Sequence, residues 1–309
     1  MNRRQFVRTA GMCVGVPRLR LYGPRPRGPT RLLMLGTAGG PRPWRTRSSP
    51  AQAIVIEDSV YVVDCGDGVA RQLALAGVPL RGVRHVFLTH HHSDHNADYG
   101  ALLLLAWVAG LRTRVDTWGP PPLARMTDQF FEMHAADIDA RAADEGRTPL
   151  RPLVHAHEVR AGGLVMEDRN VRVTAALVHH PPMVPAFAYR FDAADRSVVI
   201  SGDTTPVESL VTLARDADVL VHEALYDAAA VDRLIANVPN APDLRRSILS
   251  HHTTAEQAGR VAAAARVGTL VLSHLIPAED PAITEEMWAA AARTHFGGRV
   301  VVAKDLMEV

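Results

Sequence analysis

At the end of the apolar run Val83 to Thr89, the chain carries His90-His91-His92-Ser93-Asp94-His95. No other stretch restricts the fold as strongly, because several lone-pair donors packed behind a strand must find a common partner. In an extended loop alternate side chains project to one side, so His90 and His92 can meet one cation together. Asp94 and His95 are neighbours and can turn toward a second cation as the loop enters a helix. Mixed imidazole and carboxylate ligation suits zinc, with iron or manganese feasible. The bland alternative is a polar loop that happens to hold histidines. Four donors at this spacing behind an apolar strand argue against it.

One loop cannot enclose two ions, so further donors must arrive from distant strand ends. His179-His180 ends an expected strand and precedes Pro181-Pro182. Asp203 follows the strand Val198 to Ile200, in Ser201-Gly202-Asp203-Thr204, and His274 follows the strand Leu270 to Ser273. A carboxylate such as Asp203 can bridge two cations ~3.5–4 Å apart. The C-terminal ends of strands are where α/β sheets place their ligand-binding groups. Of 15 histidines, His85, His134, His155, His157 and His295 lack such company and read as surface or satisfied interior residues.

Around these positions the chain alternates strands and helices. Expected strands are Arg31 to Leu35, Ala53 to Glu57, Val60 to Val63 after an Asp58-Ser59 turn, and Val83 to Thr89. Later ones are Val171 to Val178, Ala186 to Phe191, Ser197 to Ser201, Val219 to His222, Thr269 to Ser273 and Val300 to Ala303. Expected helices are Val69 to Ala76 and Ala255 to Arg266, and residues 120–160 break the pattern with further helices expected from Leu123 to Ala143 that could cover a site. The result is a layered α/β sandwich, residues 30–309, preceded by an Arg/Pro-rich leader over residues 1–29. The Gly36 to Gly40 turn lacks the Gly-x-Gly-x-x-Gly spacing of a dinucleotide site, and Pro41 and Pro43 stand where its helix would begin.

Charge and length exclude some classes. The longest apolar run, Ala101 to Leu111, is well short of the ~18 residues of a membrane helix, so no integral membrane segment is expected and the run reads as a core helix. Cys13 and Cys65 are too few and too far apart in context for a disulfide framework. Net charge is +1, yet the first 50 residues hold many arginines and no acidic residue, which leaves the remainder net acidic. An acidic body is a poor match to a polyanion, so nucleic acid is not the expected partner and a small-molecule ester is. Asn2-Arg3-Arg4-Gln5-Phe6-Val7-Arg8 is similar to a twin-arginine export signal, which leaves a cytoplasmic or an exported, periplasmic location open. A homodimer is compatible with the sequence.

The loop His90-x-His92-x-Asp94-His95 resembles that of metallo-β-lactamase-fold hydrolases. Leu35-Gly36-Thr37, Asp64-Cys65-Gly66-Asp67-Gly68, Ser201-Gly202-Asp203-Thr204, His222-Glu223-Ala224 and His252-Thr253-Thr254 are similar, in the same order, to the ribonuclease Z and arylsulfatase-like branch. That resemblance implies an α/β fold in four layers, an αβ/βα sandwich with a helical insertion at about residues 120–160. It implies one metal on His90, His92 and His180, a second on Asp94, His95 and His274, and Asp203 bridging them. His180 is preferred to His179 because its spacing to Tyr189-Arg190 fits the arylsulfatase-like pattern better. Asp64 is expected to brace the metal loop. Glu223 is expected to orient His252, which would protonate or stabilise the leaving group, and His222 is left as structural or substrate-facing.

The implied activity is a dinuclear hydrolase that uses a hydroxide shared by two divalent ions, zinc before iron or manganese. Asp94 is expected to take the water's proton while ligating metal. A Glu223/His252 pair matches the phosphodiesterase side and favours a phosphodiester-type substrate, because an alkoxide leaving group needs a proton near neutral pH. Arylsulfatase-like, lactone or β-lactam hydrolysis is the alternative within enzymes, since fold alone does not select among them. A non-catalytic metal-binding or redox protein is the alternative from another class.

Overall fold

The computed structural model describes residues 28–236 and 238–309; the twin-arginine-like start and Cys13 lie outside them, and Cys65 is a buried free thiol. The first sheet is built from β1 (Arg31–Gly36), β2 (Ala51–Ile56), β3 (Ser59–Val63), β4 (Val83–Phe87), β5 (Val115–Gly119) and β6 (Val154–Glu158). The β1–β3 meander is antiparallel, and β3 to β6 run parallel through crossovers. Those crossovers hold α1 (Val69–Leu75), the single turn α2 (Ser93–Asn96), α3 (Tyr99–Val108), α4 (Leu123–Met133) and α5 (Ala135–Asp144).

The second sheet contains β7 (Gly163–Glu167), β8 (Val171–His180), β9 (Met183–Ala193), β10 (Ser197–Ile200), β11 (Val219–Leu225), β12 (Thr269–Ile276) and β13 (Arg299–Val302). The helices α6 (Glu208–Leu213), α7 (Ala228–Ile235), α8 (Leu244–His251), α9 (Ala255–Ala265) and α10 (Glu285–Arg293) belong to this half. A short last strand, β14 (Met307–Glu308), returns to the first sheet beside β1.

Period-two alternation decides the layers. Leu32, Met34, Ile54, Ile56, Tyr61 and Val63 face inward, where they meet Val173, Phe187, Tyr189, Phe191, Val198 and Val221 of the second sheet. Their neighbours Leu33, Leu35, Ala53, Val55, Val60 and Val62 face outward onto α1 and α3. In the second sheet Val199, Leu220, Leu270 and Leu272 face outward onto α6, α9 and α10. Each fully buried Leu, Ile or Val contributes about 1.5–3 kcal/mol, and a one-residue slip would move each of them to the opposite core. Helix, sheet, sheet, helix is the four-layer αβ/βα sandwich.

Several boundaries differ from the sequence expectation. The β2–β3 turn is centred on Glu57-Asp58, with Glu57 in the left-handed region at φ 54°, one residue earlier than expected. Residues 120–160 are helical only in their first part, and Val154–Glu158 completes the parallel edge of the first sheet. The helices α4 and α5 do not cover the site either. Phe131 and Ile138 pack with Leu104, Trp107 and Leu150 in a separate cluster on the outer face. Among the described residues no helix is long and apolar enough to cross a membrane.

Candidate metal centre

The two sheets meet at one edge, where the end of β4 is tied to β9 by the Phe187 N–H donating to the Thr89 carbonyl (2.9 Å) and the Tyr189 hydroxyl donating to the Leu88 carbonyl (3.0 Å). At that seam the structure brings together the seven side chains His90, His92, Asp94, His95, His180, Asp203 and His274. His90 Nε2 and His180 Nε2 each stand 3.0 Å from His92 Nδ1, and their distances to Asp203 Oδ2 are 3.9 and 3.8 Å. In the other half, Asp203 lies 3.4 Å from His95 Nε2 and 3.2 Å from His274 Nε2. Asp94 Oδ2 lies 3.6 Å from His95 Nε2 and 3.4 Å from His274 Nε2. Donors ~2.0–2.1 Å from a shared tetrahedral ion stand ~3.3 Å apart. These spacings fit that geometry, with Asp203 common to both halves.

Three of the five rings are aimed by a hydrogen bond on the other nitrogen. Thr89 Oγ1 lies 3.0 Å from His90 Nδ1. Asp64 holds His95 Nδ1 at 2.8 Å and also accepts from the Thr89 N–H at 2.8 Å. His180 Nδ1 donates to the His251 carbonyl at 3.0 Å. Outer partners of this kind fix the tautomer and leave the inner nitrogen to a metal. His180 is buried whereas His179 is exposed, so it is His180 that the end of β8 turns into the cluster.

The strands β11 and β12 run past their expected ends at His222 and Ser273, on to Leu225 and Ile276. A register shift pairs Glu223 with Ser273 and Ala224 with Leu275, leaving His274 unpaired in the left-handed region at φ 46°. Such a bulge re-aims one side chain at a site. Gly39 makes room for it, since a Cβ there would stand 2.9 Å from His274 Nδ1.

The electrostatics call for positive charge. Burial works against a charge on His95, yet Asp203, Asp64 and Asp94 around it hold its pKa well above the ordinary value. Against the upward push of burial, His95 and His274 hold Asp94 down at about 2, and the same rings hold Asp203 well below the carboxylate range. Burial pushes His180 down to about 4 and His90 well below its usual value, so these rings are neutral and able to coordinate. His95 Nε2 and Asp203 Oδ1 are both buried without a hydrogen-bond partner. A cation between them would satisfy both atoms, and the residues present therefore fit a metal centre.

Beside the cluster, Glu223 Oε2 accepts from His252 Nδ1 at 2.8 Å while its Oε1 accepts from the Thr204 N–H at 2.7 Å. Both carboxylate oxygens are committed to these two donors. Burial opposes a charge on His252, but the Glu223 carboxylate raises its pKa to about 9. Its segment is pinned by the Thr253 hydroxyl on the Thr204 carbonyl and by the Thr254/Gln257 capping box that starts α9. His222 is fully buried, with Nδ1 against the Glu223 carbonyl, and burial lowers it to about 4. It does not line the cavity in front of the cluster.

Sequence reasoning missed the residues that hold the loop over the site. Asp305 accepts from Thr37 Oγ1 (2.7 Å) and from the Ser48 N–H (2.5 Å), and Arg47 donates to Thr37 Oγ1 and to the Ala303 carbonyl. These contacts fix the segment that carries Gly39, Arg42 and Trp44. Only the separation of 268 residues between Thr37 and Asp305 kept this from view, since no local pattern announces it.

Comparison with known proteins follows the same lines. A family model described as a beta-lactamase superfamily domain matches residues 60–275. A ribonuclease Z from Mycobacterium bovis is 34% identical over 281 residues, 90% of this chain and 97% of the relative. Among solved structures, the metallo-beta-lactamase fold protein YhfI from Bacillus subtilis superposes with a TM-score of 0.67 at 22% identity, over 91% of this chain and 99% of that one. The short form of human tRNase Z gives 0.65 at 22% identity, over 90% and 98%. The two structures are alike in fold.

Proposed function

From the premise that the chain belongs to the beta-lactamase superfamily, and within it to the ribonuclease Z family of metal-dependent hydrolases, we propose that it hydrolyses a phosphodiester of a small molecule with the aid of two divalent ions. His90, His92 and His180 would hold one ion, Asp94, His95 and His274 the other, and Asp203 would touch both. The donor set, five imidazoles and two carboxylates, favours zinc. When bound, such a pair supplies a water of lowered pKa and neutralises charge that develops on the phosphoryl oxygens. Asp94, whose Oδ2 also accepts from the Gly40 N–H at 3.2 Å, would take the water's proton. His252, held by Glu223 on Nδ1, lines the cavity in front of the cluster and would give a proton to the departing oxygen. That buried Glu223–His252 pair is the observation that carries the reading, because a site that only stored metal would need no acid.

RNA is the second reading, favoured by the name of the M. bovis relative and opposed to the expectation of a small ester. Turnover of bis-p-nitrophenyl phosphate, a precursor tRNA, p-nitrophenyl sulfate, a lactone and nitrocefin, each with and without chelator, separates the readings. The small-diester reading expects the first substrate to be cleaved, activity to vanish on chelation and zinc to restore it. Preference for RNA, sulfate, lactone or nitrocefin would replace it, and no turnover with any metal would leave a binding protein.

A further inference from the structure

The cavity in front of the cluster, about 340 Å³, has two unlike sides. One is the histidine and aspartate floor. The other is apolar and contains Trp44, Leu234, Ile235, Val238, Leu244 and Ile248. Most of this wall is a hairpin of α7 and α8 that rests on Leu225 and Ile276 through Val231, Leu234, Ile235, Ile248 and Leu249. No residue of α8 is fully buried, although Leu244 and Ile248, one turn apart, both border the cavity. Apolar side chains left half wet beside a reactive centre lose free energy that a ligand can recover. Arg42, stacked at 3.8 Å over the Trp44 ring, is the one Arg or Lys among the described residues that line the space. A polynucleotide would find little to pair its further phosphates.

We propose that this wall receives an apolar alkyl or aryl group of the substrate, on the side from which the leaving group departs. The position of His252 sets that side, because it caps the end of α8 and lines the same cavity as Leu244 and Ile248. In the hydrolysis the P–O bond to the departing group breaks, the water's oxygen stays on phosphorus, and one water proton ends on the released alcohol or phenol. The inference rests on the hydrolase reading, but the wall can be tested by binding alone.

The test is calorimetric titration of the full-length, zinc-loaded protein with phenylphosphonate and its 4-methyl, 4-ethyl and 4-butyl derivatives, whose acidities barely differ. Each added methylene should tighten Kd about fourfold until the wall is covered, the factor equivalent to ~0.8 kcal/mol per buried CH₂. Ile248→Asp and, as a milder change, Leu244→Ser should flatten that dependence, with thermal melting showing that both variants stay folded. A Kd indifferent to chain length in the unaltered protein, or a dependence unchanged in folded variants, would overturn the proposal. If chain-length dependence holds while bis-p-nitrophenyl phosphate is not turned over, the wall stands and the small-diester reading falls.

Discussion

Replacing Glu223 by Gln changes charge and leaves volume almost untouched, which makes it a sharp probe of the acid. In the structure the two carboxylate oxygens serve two donors, the Thr204 N–H at 2.7 Å and His252 Nδ1 at 2.8 Å. An amide has one oxygen and one NH₂, so whichever way it turns, one of those donors faces another donor in a fully buried place. If the oxygen stays on Thr204, His252 must give up its Nδ1 proton to face the amide NH₂, and so loses its positive charge. A hydrogen bond to a charged group is worth about 1.5–3 kcal/mol, which at 1.36 kcal/mol per tenfold is a loss of about 10- to 150-fold in kcat. The loss should fall on substrates whose leaving group needs a proton. Steady-state kinetics with a methyl-leaving and a p-nitrophenyl-leaving diester measures it: the first should drop by that factor, the second by less than about threefold, with metal content unchanged. Equal losses on both substrates would refute the acid role of His252, and so would no loss on either.

Asp64→Asn removes the carboxylate that fixes His95 and should weaken metal affinity about 10- to 100-fold, read by competition with a chromophoric chelator; unchanged affinity would remove Asp64 from the account. Gly39→Ala drives a methyl against Ile276 Cγ1 and, next, His274 Nδ1 and should cost about 1–3 kcal/mol of stability, seen in urea unfolding, along with metal affinity. Asp168 offers a test away from the centre. Burial favours its neutral form, but His85, the Tyr61 hydroxyl at 2.6 Å and the N–H groups of Asn170 and Val171 hold its carboxyl far below the usual range. A depressed carboxylate stabilises above its unfolded pKa and loses that contribution as pH falls through the folded one. Asp168→Asn should therefore cost roughly 1–2 kcal/mol at pH 7, and the difference should shrink steadily below about pH 4. A difference independent of pH would contradict it.

Much of the fold was legible because alternation over β1 to β4 and β8 to β12 reports two cores, one on each side of each strand. The donors in the loop after β4 were legible for a different reason, since four of them fall within six residues. What escaped were short elements without a clear period. The helices α7 and α8 span eight residues each and are separated by Pro239 and Pro242, so neither fills the window of roughly 11–18 residues over which a helical stripe can be recognised. Yet they, and not the expected insertion, form the wall of the cavity. The edge strand β6, Val-His-Ala-His-Glu, is half-buried throughout and lacks the apolar run of an inner strand. The bulge at His274 depends on how β11 and β12 pair, and pairing register is a tertiary property.

The central claim is that seven side chains at the seam of two sheets hold a pair of divalent ions. Metal analysis of the purified protein, with parallel anomalous diffraction at the zinc edge, tests it most directly. The account predicts two equivalents per chain, one between His90, His92 and His180 and one between Asp94, His95 and His274, and loss of at least one in Asp203→Ala. A metal-free protein that still hydrolyses its substrate, or ions bound elsewhere, would contradict it.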